Sequence, residues 1–191
     1  MQLTDQRLIE AHLQGDPQAF EALVRRYGPA LLGYLVRLCG YRDRAEDCFQ
    51  ETFKRVHEKA HTIRGKSFRP WLYRVATNVA LDGFRQQRRQ PVVLESDVGQ
   101  VHKTGESVLE QASESTMEPG DELIRAEQTS QVRDAVASLP EKQRATLILV
   151  YYQKLSYTQA AESMGCSLGT VKTQMFRALQ ALVKRLPDPD E

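Results

Sequence analysis

The chain has 191 residues, 26 Lys and Arg against 25 Asp and Glu for a formal net charge of +1, with 41% hydrophobic and 27% charged side chains. These values suit one ordinary globular domain or two small ones and exclude a collagen-like or Gly/Pro-dominated low-complexity chain. No apolar run approaches the roughly 18–20 residues of a membrane span, Met1–Asp5 holds no basic stretch ahead of an apolar one, and three cysteines argue against a disulfide scaffold; the expectation is a cytoplasmic protein with no membrane span.

In chain order, Asp16-Pro17 predicts a helix start, with Asp as N-cap and Pro at the first helical position. Phe20, Leu23, Val24, Tyr27, Leu31, Leu35 and Leu38 then follow at three-and-four spacing and form one apolar stripe. Ala45, Cys48, Phe49, Thr52, Phe53, Val56 and Ala60 make a second, and Phe68, Trp71, Leu72, Val75, Ala76 and Val79 a third. No segment alternates with period two, so the fold class expected is all-α, without a sheet. The C-terminal part predicts a helix from near Glu122 and another at Pro140. Ser156 with Gln159 forms a capping box that opens a short helix ended by Gly165. Ser167 opens the last helix, for which Leu168, Val171, Met175, Leu179, Leu182 and Leu186 are expected inward.

Charge divides the chain into three. Residues 1–90 carry 16 basic and 10 acidic side chains, residues 91–130 carry 2 and 9, and residues 131–191 carry 8 and 6. The middle block has few large apolar residues and no aromatic ring, so it cannot bury enough surface to offset its own ordering and reads as a flexible acidic linker. Two small helical domains, 1–90 and 131–191, are therefore expected on either side of it. The near-neutral total then hides two basic domains behind an acidic tether, and the free protein is expected to bind DNA poorly.

Short helix, Gly165 turn and longer helix predict a helix-turn-helix, the alternative being an ordinary αα-hairpin. The motif would place the start of its second helix in a DNA major groove, with Thr170, Lys172, Thr173, Phe176 and Arg177 facing outward to contact base edges, thymine methyls or phosphates. Between Arg64 and Arg89, seven basic residues interleave with Phe68, Trp71, Tyr73 and Phe84, a composition suited to single-stranded nucleic acid. His57 and His61 have helical chelate spacing, but no Cys or carboxylate set completes a tetrahedral site, so no metal and no cofactor is expected. No phosphate-binding Gly loop, nucleophile elbow or dinucleotide fingerprint is present, so no catalytic residue and no enzyme activity is expected.

Two blocks resemble one family. Phe20–Gly40, followed by Asp43–Val56, resembles the first conserved region of bacterial sigma factors, and Phe68–Asp82 its promoter-melting part. Ser138–Arg144, Leu155–Tyr157 and Gly169–Lys172 resemble the promoter-reading C-terminal domain of the same family. With only these two domains the chain is similar to the extracytoplasmic-function (group IV) factors of the sigma-70 family. The resemblance implies a factor that binds core RNA polymerase and directs promoter recognition, DNA melting and transcription initiation. It implies contact of Asp47, Gln50, Glu51, Lys54 and Arg55 with the β′ clamp, and of the C-terminal domain with the β flap. Arg64, Gly65, Lys66 and Ser67 match the loop, and Asn78 a side chain, at the pocket for a flipped −10 base; Tyr73, Arg74, Arg85, Arg88 and Arg89 are implied to hold the same DNA. Ser156, Thr170, Lys172, Thr173, Phe176 and Arg177 are implied at the −35 element. Promoter DNA and an anti-sigma factor are the further partners implied. Gln174, Leu179 and Pro70 depart from the residues the family often has there.

Overall fold

Residues 3–63, 67–89 and 129–186 are described by a computed structural model. Helix α1 spans Asp5–Leu13, α2 Pro17–Cys39, α3 Arg42–Lys59 and α4 Phe68–Arg89, with a 3-10 turn at Ala60–Ile63. In the C-terminal part, α5 covers residues 129–137. Helix α6 (Glu141–Leu147) runs into a π-helical turn, Ile148–Tyr152. Helices α7 (Tyr157–Met164) and α8 (Leu168–Val183) are the last among the described residues. The described residues contain no strand. The expected helix start near Glu122 and the stretch 91–128 of the expected linker lie outside the described residues. Residues 129 and 130, which composition assigned to the linker, are already helical.

Local chemistry explains the boundaries. The Asp16 carboxylate accepts from the Gln18 N–H at 2.9 Å, and Pro17 follows where its missing N–H costs nothing. Gly40 ends α2 at φ +82, a conformation that suits a residue without a Cβ. Ser156 and Gln159 cap α7 reciprocally, and Gly165 closes it at φ +61. Helix α1 was not anticipated. Its readable signals are the Thr4 N-cap and the adjacent pair Leu8 and Ile9, both buried. Asp5 fastens it to α2 by accepting from Arg26 and from the Tyr27 hydroxyl.

The N-terminal domain closes around Leu23, Leu31, Leu35, Leu38, Ala45, Phe53, Val56, Leu72 and Ala76, all residues of the expected stripes. The C-terminal domain has its own cluster of Val136, Leu139, Leu147, Met175 and Ala178. The larger core does not stop at the domain boundary: Ala145, Ile148, Leu149, Leu155, Ala160, Ala161 and Val171 belong to the same apolar cluster as α2, α3 and α4. Helix α7 lies against α4, and the π turn and α6 against α2. The small side chains Ala160, Ala161 and Ser163 of α7 are all buried and permit close approach. The two domains therefore share a buried face.

Candidate nucleic-acid interface

The outward face of α3 carries the residues matched to polymerase. Asp47, Gln50 and Lys54 are exposed, and Glu51 and Arg55 half-buried. Arg55 Nε donates to Glu51 at 2.7 Å, and this hydrogen bond holds the Glu51 carboxyl below the ordinary carboxylate range. Cys48, on the buried face of the same helix, lies 4.0 Å from Cys39, sulfur to sulfur. The hydrogen bond from Cys39 lowers the Cys48 thiol to about 7 and raises that of Cys39. His57 packs its ring against Phe20 and His12, with centroids at 5.3 and 4.9 Å.

Helix α4 divides into an open and a covered part. Ser67, Arg74, Asn78, Arg85, Arg88 and Arg89 are exposed; Arg64, Gly65 and Lys66 lie outside the described residues. Arg85 pairs with Asp82 at 2.8 Å, and Arg88 with Glu141 of the C-terminal domain at 2.5 Å. Tyr73 is the exception among the residues matched to the −10 element, with only 1% of its surface exposed. Its ring packs edge-on to Tyr34 at 5.2 Å, and its hydroxyl donates to Gln153 Oε1 at 2.5 Å. Burial pushes the Tyr73 phenol up to about 12 against a smaller pull from Arg69. Tyr34 in turn shares a 2.7 Å hydrogen bond with Thr77, whose hydroxyl also caps the Tyr73 carbonyl. In this arrangement Tyr73 is a residue of the core.

The helix-turn-helix is formed by α7, Gly165 and α8. Val171, Met175 and Ala178 face inward, while Thr170, Lys172, Thr173, Phe176 and Arg177 are all exposed, as is Ser156 at the start of α7. Lys172 and Arg177 have no acidic partner among the described residues. Two expectations for α8 fail. Leu168 and Leu179 are 41% and 50% exposed, because Ala178 and Met175 fill the positions against α6. Phe176, Leu179 and Val183 consequently form an apolar ridge on the outer side of the helix.

Sequence reasoning missed the residues that join the two domains. Gln153 is buried after the π turn, Arg69 donates to its carbonyl at 2.5 Å, and Ser163 lies 3.1 Å from the Pro70 carbonyl. Pro70 thus has a structural place: it sits in the first turn of α4, where no N–H is needed, and offers its carbonyl to α7. A Gln at the end of an apolar run gives no pattern from which this role is readable.

Fold and exposed faces define a two-domain helical protein whose second domain ends in a helix-turn-helix. Residues 23–90 match the family described as Sigma-70 region 2, and residues 129–182 that described as Sigma-70, region 4. The ECF RNA polymerase sigma-E factor of Haemophilus influenzae is 33% identical over 97% of this chain and 96% of its own length. The RNA polymerase sigma-H factor of Pseudomonas aeruginosa is 34% identical over 95% of this chain and 93% of its own. Two solved structures share the fold, each at a TM-score of 0.65. CnrH in complex with the cytosolic domain of CnrY is 21% identical and covers 94% of this chain and 95% of that one. The sigma factor RpoE in complex with the anti-sigma factor NepR, from Bartonella quintana, is 24% identical and covers 86% and 94%. The chain belongs to the ECF sigma factors of the sigma-70 family: it is a bacterial sigma factor that binds core RNA polymerase and directs promoter recognition, DNA melting and transcription initiation.

Proposed function

We propose that this chain is a group IV factor acting in the cytoplasm, and that its surfaces divide the work of initiation. The α3 face of Asp47, Gln50, Glu51, Lys54 and Arg55 docks on the β′ clamp, and the C-terminal domain on the β flap. The segment Arg64–Ser67 and the exposed side of α4 hold the opened −10 strand, with Asn78 at the base pocket and Arg74, Arg85, Arg88 and Arg89 on phosphates; Tyr73 joins them once it is uncovered. The N-terminal half of α8 reads the −35 element through Thr170, Lys172, Thr173, Phe176 and Arg177, and Ser156 at the start of α7 meets the backbone.

The physical logic is one of linked weak contacts. Each domain supplies a modest basic footprint, and polymerase, by holding both, raises the effective concentration of the second contact once the first is made. Strand opening costs roughly 1.4 kcal/mol of stacking per base-pair step. Capture of an extruded base in a fitted pocket offsets part of that cost and favours sequences whose bases fit. The chain contributes no bond-making chemistry, metal or cofactor in this scheme; polymerase makes the RNA. An anti-sigma factor would act by covering the same faces.

The observation that carries the reading is the pairing, in one chain, of an exposed α8 face of Lys172, Phe176 and Arg177 with an exposed basic α4 carrying Asn78. Core RNA polymerase incubated with a genomic promoter library, with and without the chain, tests it. Promoter-specific transcripts are expected only when the chain is present; a DNA-binding chain that adds no transcript would instead be a stand-alone helix-turn-helix regulator.

A further inference from the structure

Between the π turn Ile148–Tyr152 and Lys154, which takes a left-handed backbone conformation at φ +53, sits Gln153. Both backbone features are unfavourable in isolation and persist only where the surroundings hold them. What holds them is the other domain. Gln153 is 8% exposed, and every polar group it carries toward the N-terminal domain is satisfied there. Its Oε1 accepts from the Tyr73 hydroxyl at 2.5 Å, its Nε2 donates to the Ala30 carbonyl at 3.3 Å, and its own carbonyl accepts from Arg69 at 2.5 Å. One residue thus joins α2 and α4 to the C-terminal domain. Around it lie the Ser163 contact to Pro70, the Arg88–Glu141 ion pair, and the Arg37 guanidinium over the Tyr152 ring at 4.8 Å. The Arg74 guanidinium comes within 3.6 Å of the place a Cβ would take at Gly165.

This closed arrangement is incompatible with reading both promoter elements. Elements about 25 base pairs apart are separated by roughly 85 Å at 3.4 Å per pair. A compact chain of this length has a radius of gyration of about 16 Å and is therefore only about 40 Å across. The 39 residues 90–128 between the described parts have a covalent reach of up to about 130 Å, enough to span the distance once the domains separate.

We propose that Gln153 is a latch: in the free chain it holds the C-terminal domain on α2 and α4 and keeps Tyr73 covered, and promoter engagement requires this face to open. The inference rests on the sigma-factor reading of α4 and α8. A hydrogen-bonded amide suits such a role, because its groups are satisfied by protein when closed and by water when open. Apparent DNA affinity of the free chain then equals the intrinsic affinity reduced by the open fraction.

The test uses the full chain and the variants Gln153→Ala and Glu141→Arg, the second reversing the charge that pairs with Arg88 at the start of α6. X-ray scattering reports the radius of gyration, circular dichroism the helix content, and a 30-base single-stranded DNA of mixed sequence serves as binding probe. The expected result is a compact parent chain, unchanged helix content, and expansion in both variants. Probe affinity should rise about tenfold for Gln153→Ala and less for Glu141→Arg. Equal dimensions and equal probe affinity in parent and both variants would overturn the latch, as would a parent chain already expanded. Core-dependent transcription by the parent chain is measured alongside: its absence would defeat the sigma-factor reading, whereas its presence with unchanged dimensions would defeat only the latch.

Discussion

Helices α4 and α8 begin as the same kind of object, an amphipathic helix with an apolar stripe and basic side chains on the other side. They differ in how much of each is covered. Helix α8 packs along Val171, Met175 and Ala178 and leaves Phe176 at 61% and Val183 at 78% exposed. Helix α4 buries Phe68, Leu72, Ala76 and Val79 in its own domain and, on an adjoining side, Pro70 and Tyr73 against the C-terminal domain. The apolar stripe of α4 thus reports the core of its own domain, while the buried polar side chains bonded to it from outside, Gln153 and Ser163, report a neighbour from elsewhere in the chain. In the arrangement observed, the α8 face proposed for the −35 element is already presented, and the α4 face proposed for the −10 element is partly withheld.

Truncation at the two helices should separate them most sharply. Leu72→Ala removes a fully buried side chain from α4 and should cost about 2–5 kcal/mol of stability. Leu179→Ala, half exposed on α8, should change stability by no more than about 0.5 kcal/mol. Urea denaturation followed by circular dichroism measures both, and similar losses would mean that α8 is covered as fully as α4. A smaller effect is expected where α7 begins: Ser156→Ala removes one half of a capping box and should cost about 1 kcal/mol. Ser156→Asp retains an acceptor for the Gln159 N–H and should recover most of that loss.

The smallest effect lies at the α1–α3 contact. Burial and the neighbouring His57 lower the His12 pKa, so the folded state binds this proton less readily than the unfolded chain. Stability is therefore full above the unfolded value near 6.5 and declines as pH falls below it, down to the folded pKa. Replacing His12 by Phe keeps a ring against Phe20 and should flatten this part of the profile. An unchanged slope between pH 7 and 5 would place the titration elsewhere.

Much of this was legible beforehand, and the reasons for the remainder are specific. Caps at Asp16, Ser156 and Ser167 and the stop at Gly165 are local chemistry, so the start of α2, the extent of α7 and the start of α8 follow from neighbours in sequence. Helix α1 buries only Leu8 and Ile9, too few to make a stripe. The π turn and the left-handed Lys154 leave no mark in composition, since their support comes through Gln153 from Ala30, Arg69 and Tyr73, each at least eighty residues away from it. Leu168 and Leu179 follow the helical spacing of core residues, but the space they would fill is taken by Met175 and Ala178. Exposure of the α8 set was foreseeable from its spacing; burial of Tyr73 was not, because no single-domain pattern encodes the other domain's position.

The central claim, that α4 and α8 read different promoter elements for polymerase, is tested most directly by selecting promoters from a randomised library with reconstituted holoenzyme. The parent chain, Asn78→Ala and Arg177→Ala would be compared. The account predicts that Asn78→Ala relaxes selection only in the −10 element and impairs opening. Arg177→Ala should relax it only in the −35 element, by about 1–3 kcal/mol at one position if the guanidinium reads a base. Relaxation of the opposite element by either variant, or of both elements equally, would contradict it.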